Sequence, residues 1–168
     1  MPESAYDCIV IGSGPGGYVA AIRAAQLGMR TAVVEKNQIG GRCLNYACIP
    51  AKVVLRSADI LSEIDEAAEF GIAVEGRTVD FGKVQQRRKR VIRTMTGGVG
   101  GLFKKNGIDV ITGVGSVTKD GNVVVGDTTY EARRGVILAT GSVGRPVPGT
   151  EFGGRVIGTE EAWALPEL

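Results

Sequence analysis

Three glycines spaced Gly12-x-Gly14-x-x-Gly17 sit between an apolar stretch, Asp7 to Ile11 (DCIVI), and an alanine-rich one, Tyr18 to Leu27 (YVAAIRAAQL). Few folds accommodate that order. The apolar run reads as a buried parallel strand. The alanine-rich run has helical periodicity and ends at Gly28, a C-cap residue. Thr31 to Glu35 (TAVVE) reads as a second strand, which completes a βαβ unit. Within such a unit Gly12 makes the tight turn, Gly14 lets the backbone approach a pyrophosphate, and Gly17 lets the helix pack closely on the strand. Pro15 suits the helix start, and Gly16 completes the loop. The helix N-terminus offers unpaired N–H groups to phosphate. Glu35, 18 residues after Gly17, is placed to accept ribose hydroxyls. Its charge would repel a 2′-phosphate, which favours FAD or NAD over NADP. The motif alone does not separate FAD from NAD. Lys36, directly after Glu35, joins the candidate cofactor contacts.

Beyond Lys36–Arg42, read as a loop, a helical pattern runs from about Pro50 to Glu69, with Val53, Val54, Ile60, Leu61 and Ile64 near helical spacing. Phe70-Gly71 closes it, and residues 72–79 read as short and extended. Asp80 is a plausible N-cap for a helix reaching about Lys105, with interruptions at Gly97-Gly98 and Gly100-Gly101. Asp109–Val114, Gly115–Lys119, Asn122–Val125 and Thr128–Ala132 read as a small antiparallel meander, divided by turns at Asp120-Gly121-Asn122 and Gly126-Asp127. Val136–Leu138 is again an apolar strand and ends at Ala139-Thr140-Gly141. One short helical stretch lies in the tail, Glu151 to Leu168. The expected fold is α/β, a Rossmann-like parallel sheet with a small antiparallel meander. The expected domains are residues 1–148 for cofactor binding and an exit segment, 149–168.

Composition narrows the chemistry. The chain has 168 residues, no histidine and three cysteines. Histidine metal sites, Ser-His triads and histidine bases are therefore excluded from it. A formal net charge of +2 suggests neither nucleic acid nor membrane as a partner. No apolar run reaches the ~20 residues that span a bilayer, and the polar start MPESAYDC is not a secretory signal. A cytoplasmic location is expected. The basic run Gln85 to Arg93 (QQRRKRVIR) could form a patch for nucleic acid or an acidic partner, but the near-balanced charge favours a solvated helix face with Val84, Val91 and Ile92 on its apolar side.

Cys43 and Cys48 lie in GGRCLNYACIPAK, residues 40–52. Positions i and i+5 do not stack on an ideal helix, since each residue turns about 100°. A bridge needs Cα atoms within ~7 Å, so bridging would require an irregular helix entry around Cys43. Two unrelated thiols, or half of a zinc site, are the other readings, although only Cys8 remains as a further cysteine ligand. Cys8 reads as a buried apolar residue.

The segment resembles the GG-x-C-x-N-x-x-C-x-P-x-K motif of the FAD-dependent pyridine nucleotide-disulfide oxidoreductases. With VIGSGPGGY before it and VILATGS after it, the resemblance covers essentially the whole chain. Within that family the Cys-Ile-Pro-x-Lys ending most resembles the branch that oxidises dihydrolipoamide; glutathione- and mercuric-reductase-type enzymes are the alternatives, as is a nucleotide-binding module without redox activity. The resemblance implies that Cys43 exchanges with a small-molecule or lipoyl-domain dithiol. It implies that Cys48 faces the flavin, that Lys52 tunes it, and that electrons pass from the pair to FAD and then to NAD. Gly40, Gly41, Ala139, Thr140 and Gly141 would line the FAD. Arg42 stands where the family often has threonine, and could pair with a phosphate instead. Ala47 and Ala51 replace a frequent glycine and serine.

The resemblance also implies a homodimer, a second Gly-x-Gly-x-x-Gly, an Ala-x-Gly-Asp segment and a catalytic histidine. None occurs in these residues. The chain is thus expected to be a truncated piece, without turnover alone.

Overall fold

The computed structural model describes residues 4–165. In chain order its elements are β1 (Ala5–Ile11), α1 (Pro15–Gln26), β2 (Thr31–Glu35), α2 (Gly41–Asn45), α3 (Cys48–Glu66) with a 3-10 turn (Ala67–Phe70), α4 (Phe81–Lys105), β3 (Asp109–Thr112), β4 (Gly115–Val117), β5 (Val123–Val125), β6 (Thr128–Leu138) and α5 (Thr159–Ala164). The chain divides into two compact units. One runs up to Asn45 and resumes over Met95–Val143; the other holds Tyr46–Thr94 and the described residues from Gly144.

The first unit is built on a sheet of order β3-β2-β1-β6-β5-β4. β3, β2, β1 and β6 are parallel neighbours, whereas β6-β5 and β5-β4 are antiparallel. β1 is central, which is why its sequence is apolar without alternation: both of its faces are covered. Ile9 registers with Ala32 and Ile11 with Val34. Their side chains share one face, where Tyr6 and Val123 complete a buried cluster flanked by Ile111, Val125, Tyr130, Ala132 and Val136. The antiparallel arm therefore folds its valines onto one face of the parallel strands. Val10 and Val33 point the other way and are fully buried. That face takes α1, which packs on β1, β2 and β6 and buries the small residues Gly17, Ala21 and Ala24.

The expected α/β class holds: the structure has a parallel sheet plus an antiparallel part. Several boundaries differ. Asp109–Val114 is not a meander strand. Asp109–Thr112 pairs parallel to β2, with Ala32 opposite Asp109. A short alternating run reads alike in either setting, and the preceding crossover helix decides between them. Thr128–Ala132 and Val136–Leu138 are one strand, β6. Its register shifts opposite Tyr6 and Cys8, around Arg133-Arg134-Gly135, and that polar interruption hid the continuity. α4 is uninterrupted through Gly97, Gly98, Gly100 and Gly101. Val99 and Phe103 are buried on its apolar side, so tertiary packing outweighs glycine's poor helix propensity. α3 starts at Cys48 and is α-helical only to Glu66. The Asp80 cap is as expected, its Oδ1 accepting from Lys83 N at 3.0 Å.

In the second unit, Arg88 departs from the expected solvated basic face. It is 8% exposed, and its burial holds the guanidinium pKa below its usual value. Arg87 donates to the Val53 carbonyl at 3.4 Å. Lys89, Arg90 and Arg93 are exposed as expected. Among the described residues no helix is long and apolar enough to cross a membrane. The short helical stretch expected in the tail is α5, Thr159–Ala164, while residues 166–168 lie outside the described residues.

Candidate functional site

The glycine loop is held at the carboxyl ends of three strands. Gly12 donates to the Val34 carbonyl at 2.8 Å, and Ala139 donates to the Ile11 carbonyl at 2.8 Å. β1, β2 and the residue after β6 thus meet at one turn. Gly12 has φ +100°, and a Cβ there would run into the Ala139 carbonyl. A Cβ on Gly17 would fall on the carbonyl of Gly12, so the first turn of α1 can seat on the loop only without a side chain. Gly14 is the N-cap of α1 and Pro15 its first residue. A Cβ on Gly14 or Gly16 would meet nothing within 4 Å. The loop therefore leaves open space beside the N–H groups of α1, where a pyrophosphate would approach.

Glu35 does not simply project from the end of β2. Its Oε2 accepts from Ser13 N at 2.9 Å and from Ser13 Oγ at 2.5 Å, and its Oε1 accepts from Asn37 N at 2.9 Å. Oε2 already accepts two bonds, whereas Oε1 can still accept a further one. Ser13 is fully buried, and its Oγ also accepts from Gly40 N at 3.2 Å. Gly41, with φ +58°, lies so close to Gly14 that a Cβ would stand 2.7 Å from the Gly14 Cα. The buried Asn45 braces this segment from below, donating to Ile39 O at 3.1 Å and to Gly41 O at 2.9 Å. The sequence reading gave Ser13 and Asn45 no role. The available signals were a small hydroxyl residue inside the glycine loop and an amide two residues after Cys43.

The first unit thus gathers Gly12, Gly14, Pro15, Gly16, Gly17, Glu35, Lys36, Gly41, Arg42, Ala139, Thr140 and Gly141, together with Cys43 on α2. Thr140 and Lys36 are exposed and Arg42 is half-buried. Gly141 has φ +77° directly after Thr140.

Cys43 and Cys48 are disulfide-bonded, whereas Cys8 is free and buried. Burial, followed by the charge of Asp7, pushes the Cys8 thiol pKa up. α2 stops at Asn45, Tyr46-Ala47 forms a turn, and α3 starts at Cys48. This is the irregular helix entry that a bridge between positions i and i+5 requires. Cys48 and Lys52 belong to the second unit, both exposed. Being i and i+4 on α3, they share one face of it.

The pyridine nucleotide-disulphide oxidoreductase family matches residues 6–168. Among curated relatives, the dihydrolipoyl dehydrogenase of Chlamydia pneumoniae is 45% identical over 96% of this chain and 36% of its own length. That of Rhizobium etli is 44% identical over 95% of this chain and 37% of its own. One from Bacillus subtilis is 44% identical over 97% and 37%. The chain therefore spans little more than a third of the length of these relatives.

Proposed function

Because the chain belongs to the pyridine nucleotide-disulphide oxidoreductase family, we propose that it is the FAD-binding, disulfide-bearing part of a flavoenzyme that oxidises dihydrolipoamide to lipoamide. The observation that carries the reading is the state of the cysteines: Cys43 and Cys48 are bridged across the turn before α3, and the one other cysteine, Cys8, is buried and free. The relatives' name, dihydrolipoyl dehydrogenase, supports the choice of dithiol.

The residues present fit FAD. The open space at Gly14 and Gly16 lies at the N-terminus of a 12-residue helix, where fixed partial positive charge favours a pyrophosphate. Glu35, held in place by Ser13 and Asn37, would accept the ribose hydroxyls. Thr140 and Gly141 would line the cofactor, with Lys36 and Arg42 as basic groups near it. FAD, when bound, supplies the two-electron acceptor that links the dithiol to NAD.

The protein's own chemistry is thiol exchange. A substrate thiolate attacks Cys43 Sγ, the Cys43–Cys48 bond breaks, and Cys48 leaves as a thiolate. The second substrate thiol then displaces Cys43 and closes the substrate disulfide. The substrate loses two electrons and two protons; the cysteine pair gains both electrons and one proton, on Cys43, and the other proton passes to solvent. Cys48 is the first residue of α3, where the helix dipole favours a thiolate, and Lys52, on the same face of α3, would tune the bound flavin.

The test is a visible absorption spectrum of the chain with added FAD during titration with dithiothreitol. Bound flavin, with a long-wavelength shoulder growing as the disulfide opens and lost in Cys48→Ser, is expected. A chain that stays colourless with FAD, or binds it without any response to thiol, overturns the reading.

A further inference from the structure

We propose that Trp163 and Arg88 are positioning residues for the redox disulfide, acting through the Tyr46 carbonyl in the turn between its cysteines. The inference rests on the functional reading above only for the meaning of the disulfide. The turn between Cys43 and Cys48 is two residues, Tyr46-Ala47, and Ala47 sits at φ −128°, ψ −90°, outside helical geometry. The Ala47 carbonyl accepts from Ala51 N at 2.9 Å, which ties one end of the turn to α3. The indole Nε1 of Trp163, on α5, donates to the Tyr46 carbonyl at 2.9 Å, across 117 residues of sequence.

Trp163 is held in turn. The buried Arg88 of α4 donates from Nη2 to the Trp163 carbonyl at 3.1 Å. Arg88 Nε donates to Gln85 Oε1 at 2.7 Å, and Gln85 Nε2 reaches the Leu165 carbonyl at 3.4 Å. Burying a guanidinium is costly, and its burial here lowers its pKa. Its acceptors are the main-chain oxygen of Trp163 on α5 and the amide oxygen of Gln85 on α4. The arrangement spends a charged donor on locating one indole, and that indole has its bond to the turn between the two cysteines.

A held turn keeps the two reduced cysteines near bonding geometry, which favours the closed disulfide. Releasing the Tyr46 carbonyl lets the reduced turn spread, so reduction becomes easier. The effect expected from losing one neutral hydrogen bond is about fivefold in the reduction equilibrium.

The experiment equilibrates the full chain, without FAD or substrate, in dithiothreitol buffers of graded oxidised-to-reduced ratio. A dithiothreitol thiolate attacks one sulfur and the protein S–S bond breaks. Its second thiol then closes the reagent ring and frees both cysteines, so the reagent loses the two electrons that the pair gains. After alkylation, trypsin releases Cys43–Lys52 as one peptide that holds both cysteines and excludes Cys8. Trp163→Phe keeps the ring and removes the donor. Arg88→Met removes the support, and reads the same effect should Trp163→Phe fail to fold. Ala67→Gly, at the buried start of the 3-10 turn in the same unit, serves as a destabilised control. Both variants should shift the equilibrium toward the dithiol about fivefold, the double variant no further than Trp163→Phe alone, and the control not at all. A shift below twofold in both variants, or an equal shift in Ala67→Gly, overturns the proposal. Because no flavin takes part, failure here leaves the FAD-binding test above unaffected.

Discussion

Gly16→Ala and Gly17→Ala are neighbouring substitutions in the first turn of α1, and the structure gives them opposite signs. At Gly16 an added methyl meets nothing within 4 Å and φ is not positive. Alanine there gains helix propensity and loses unfolded-state entropy, a stabilisation of up to about 1 kcal/mol. At Gly17 the same propensity gain applies. However, the methyl would coincide with the Gly12 carbonyl oxygen and stand 3.4 Å from the Ala139 Cβ. The obstructing atom is main chain, fixed because Gly12 itself is bonded to Val34 and Ala139 to Ile11. Relief requires α1 to lift from the loop, which costs about 1–3 kcal/mol or more, as overpacking does elsewhere. At roughly 2–4 °C per kcal/mol for a chain of this size, Gly17→Ala should melt several degrees below the parent and Gly16→Ala level with it or slightly above. Thermal melts followed by circular dichroism read both. Equal losses in the two variants, or a Gly17→Ala at least as stable as the parent, would refute the argument that backbone approach fixes these positions.

Gly97→Ala and Gly98→Ala, exposed on α4 with open space around them, should each stabilise the chain by up to about 1 kcal/mol in urea unfolding. Ser13→Ala deletes the 2.5 Å bond to Glu35 and should cost about 1.5–3 kcal/mol, since that bond is to a charged group; a loss under ~0.5 kcal/mol would mean that the main-chain donors Ser13 N and Asn37 N suffice to fix the carboxylate. Burial first, and then the bond to Asp109 at 3.0 Å, pushes the Tyr6 pKa up from 10.0 to about 12. The folded value lies above the unfolded one, so this contribution is intact below pH 10 and is lost as pH rises towards 12. Parent and Tyr6→Phe should converge in stability over that window, and parallel curves would exclude the assignment. Iodoacetamide at pH ~8 should label neither bridged cysteine, then two thiols after mild reduction, and Cys8 only after unfolding, because burial both shields Cys8 and raises its pKa. Labelling of Cys8 in the folded chain would contradict its placement.

What the sequence made legible follows the range of the interactions. The glycine loop and both strands beside it are set by neighbours within one βαβ unit, so Gly12, Gly17 and Glu35 could be placed from spacing alone. Ser13 could not. Its importance comes from being simultaneously within reach of Glu35 and Gly40, 22 and 27 residues away. β3 was misread for the same reason. Whether a short alternating strand joins a parallel or an antiparallel partner depends on the 25-residue helix before it, not on its own residues. Arg88 is the clearest case. In sequence it is one cation among several in a basic run, and spacing places it three to four residues from Val84, Val91 and Ile92, on the apolar side. That position should have marked it as the cation turned inward.

β6 explains why the antiparallel arm belongs to the site although it carries none of its residues. Its first residues pair with β5 and its last with β1, and Ala139 follows directly. The carbonyl of Ala139 is what a Cβ at Gly12 would strike, and its Cβ is what a Cβ at Gly17 would touch. The position of Ala139 is therefore set from two sides: by the β1 ladder, and by the packing of Val123 and Val125 on the face that holds Ile9 and Ile11. Cutting Val123 back to alanine removes a fully buried side chain that is not among the residues proposed to line FAD. Beyond the loss of about 1–3 kcal/mol expected of a valine truncated in a core, it should loosen the end of β6 and weaken FAD binding. Hydrogen exchange at the Ala139 amide, bonded to the Ile11 carbonyl, would report that loosening directly. An Ala139 amide as protected as in the parent, in a variant that has lost stability, would show instead that the β1 ladder alone holds the loop.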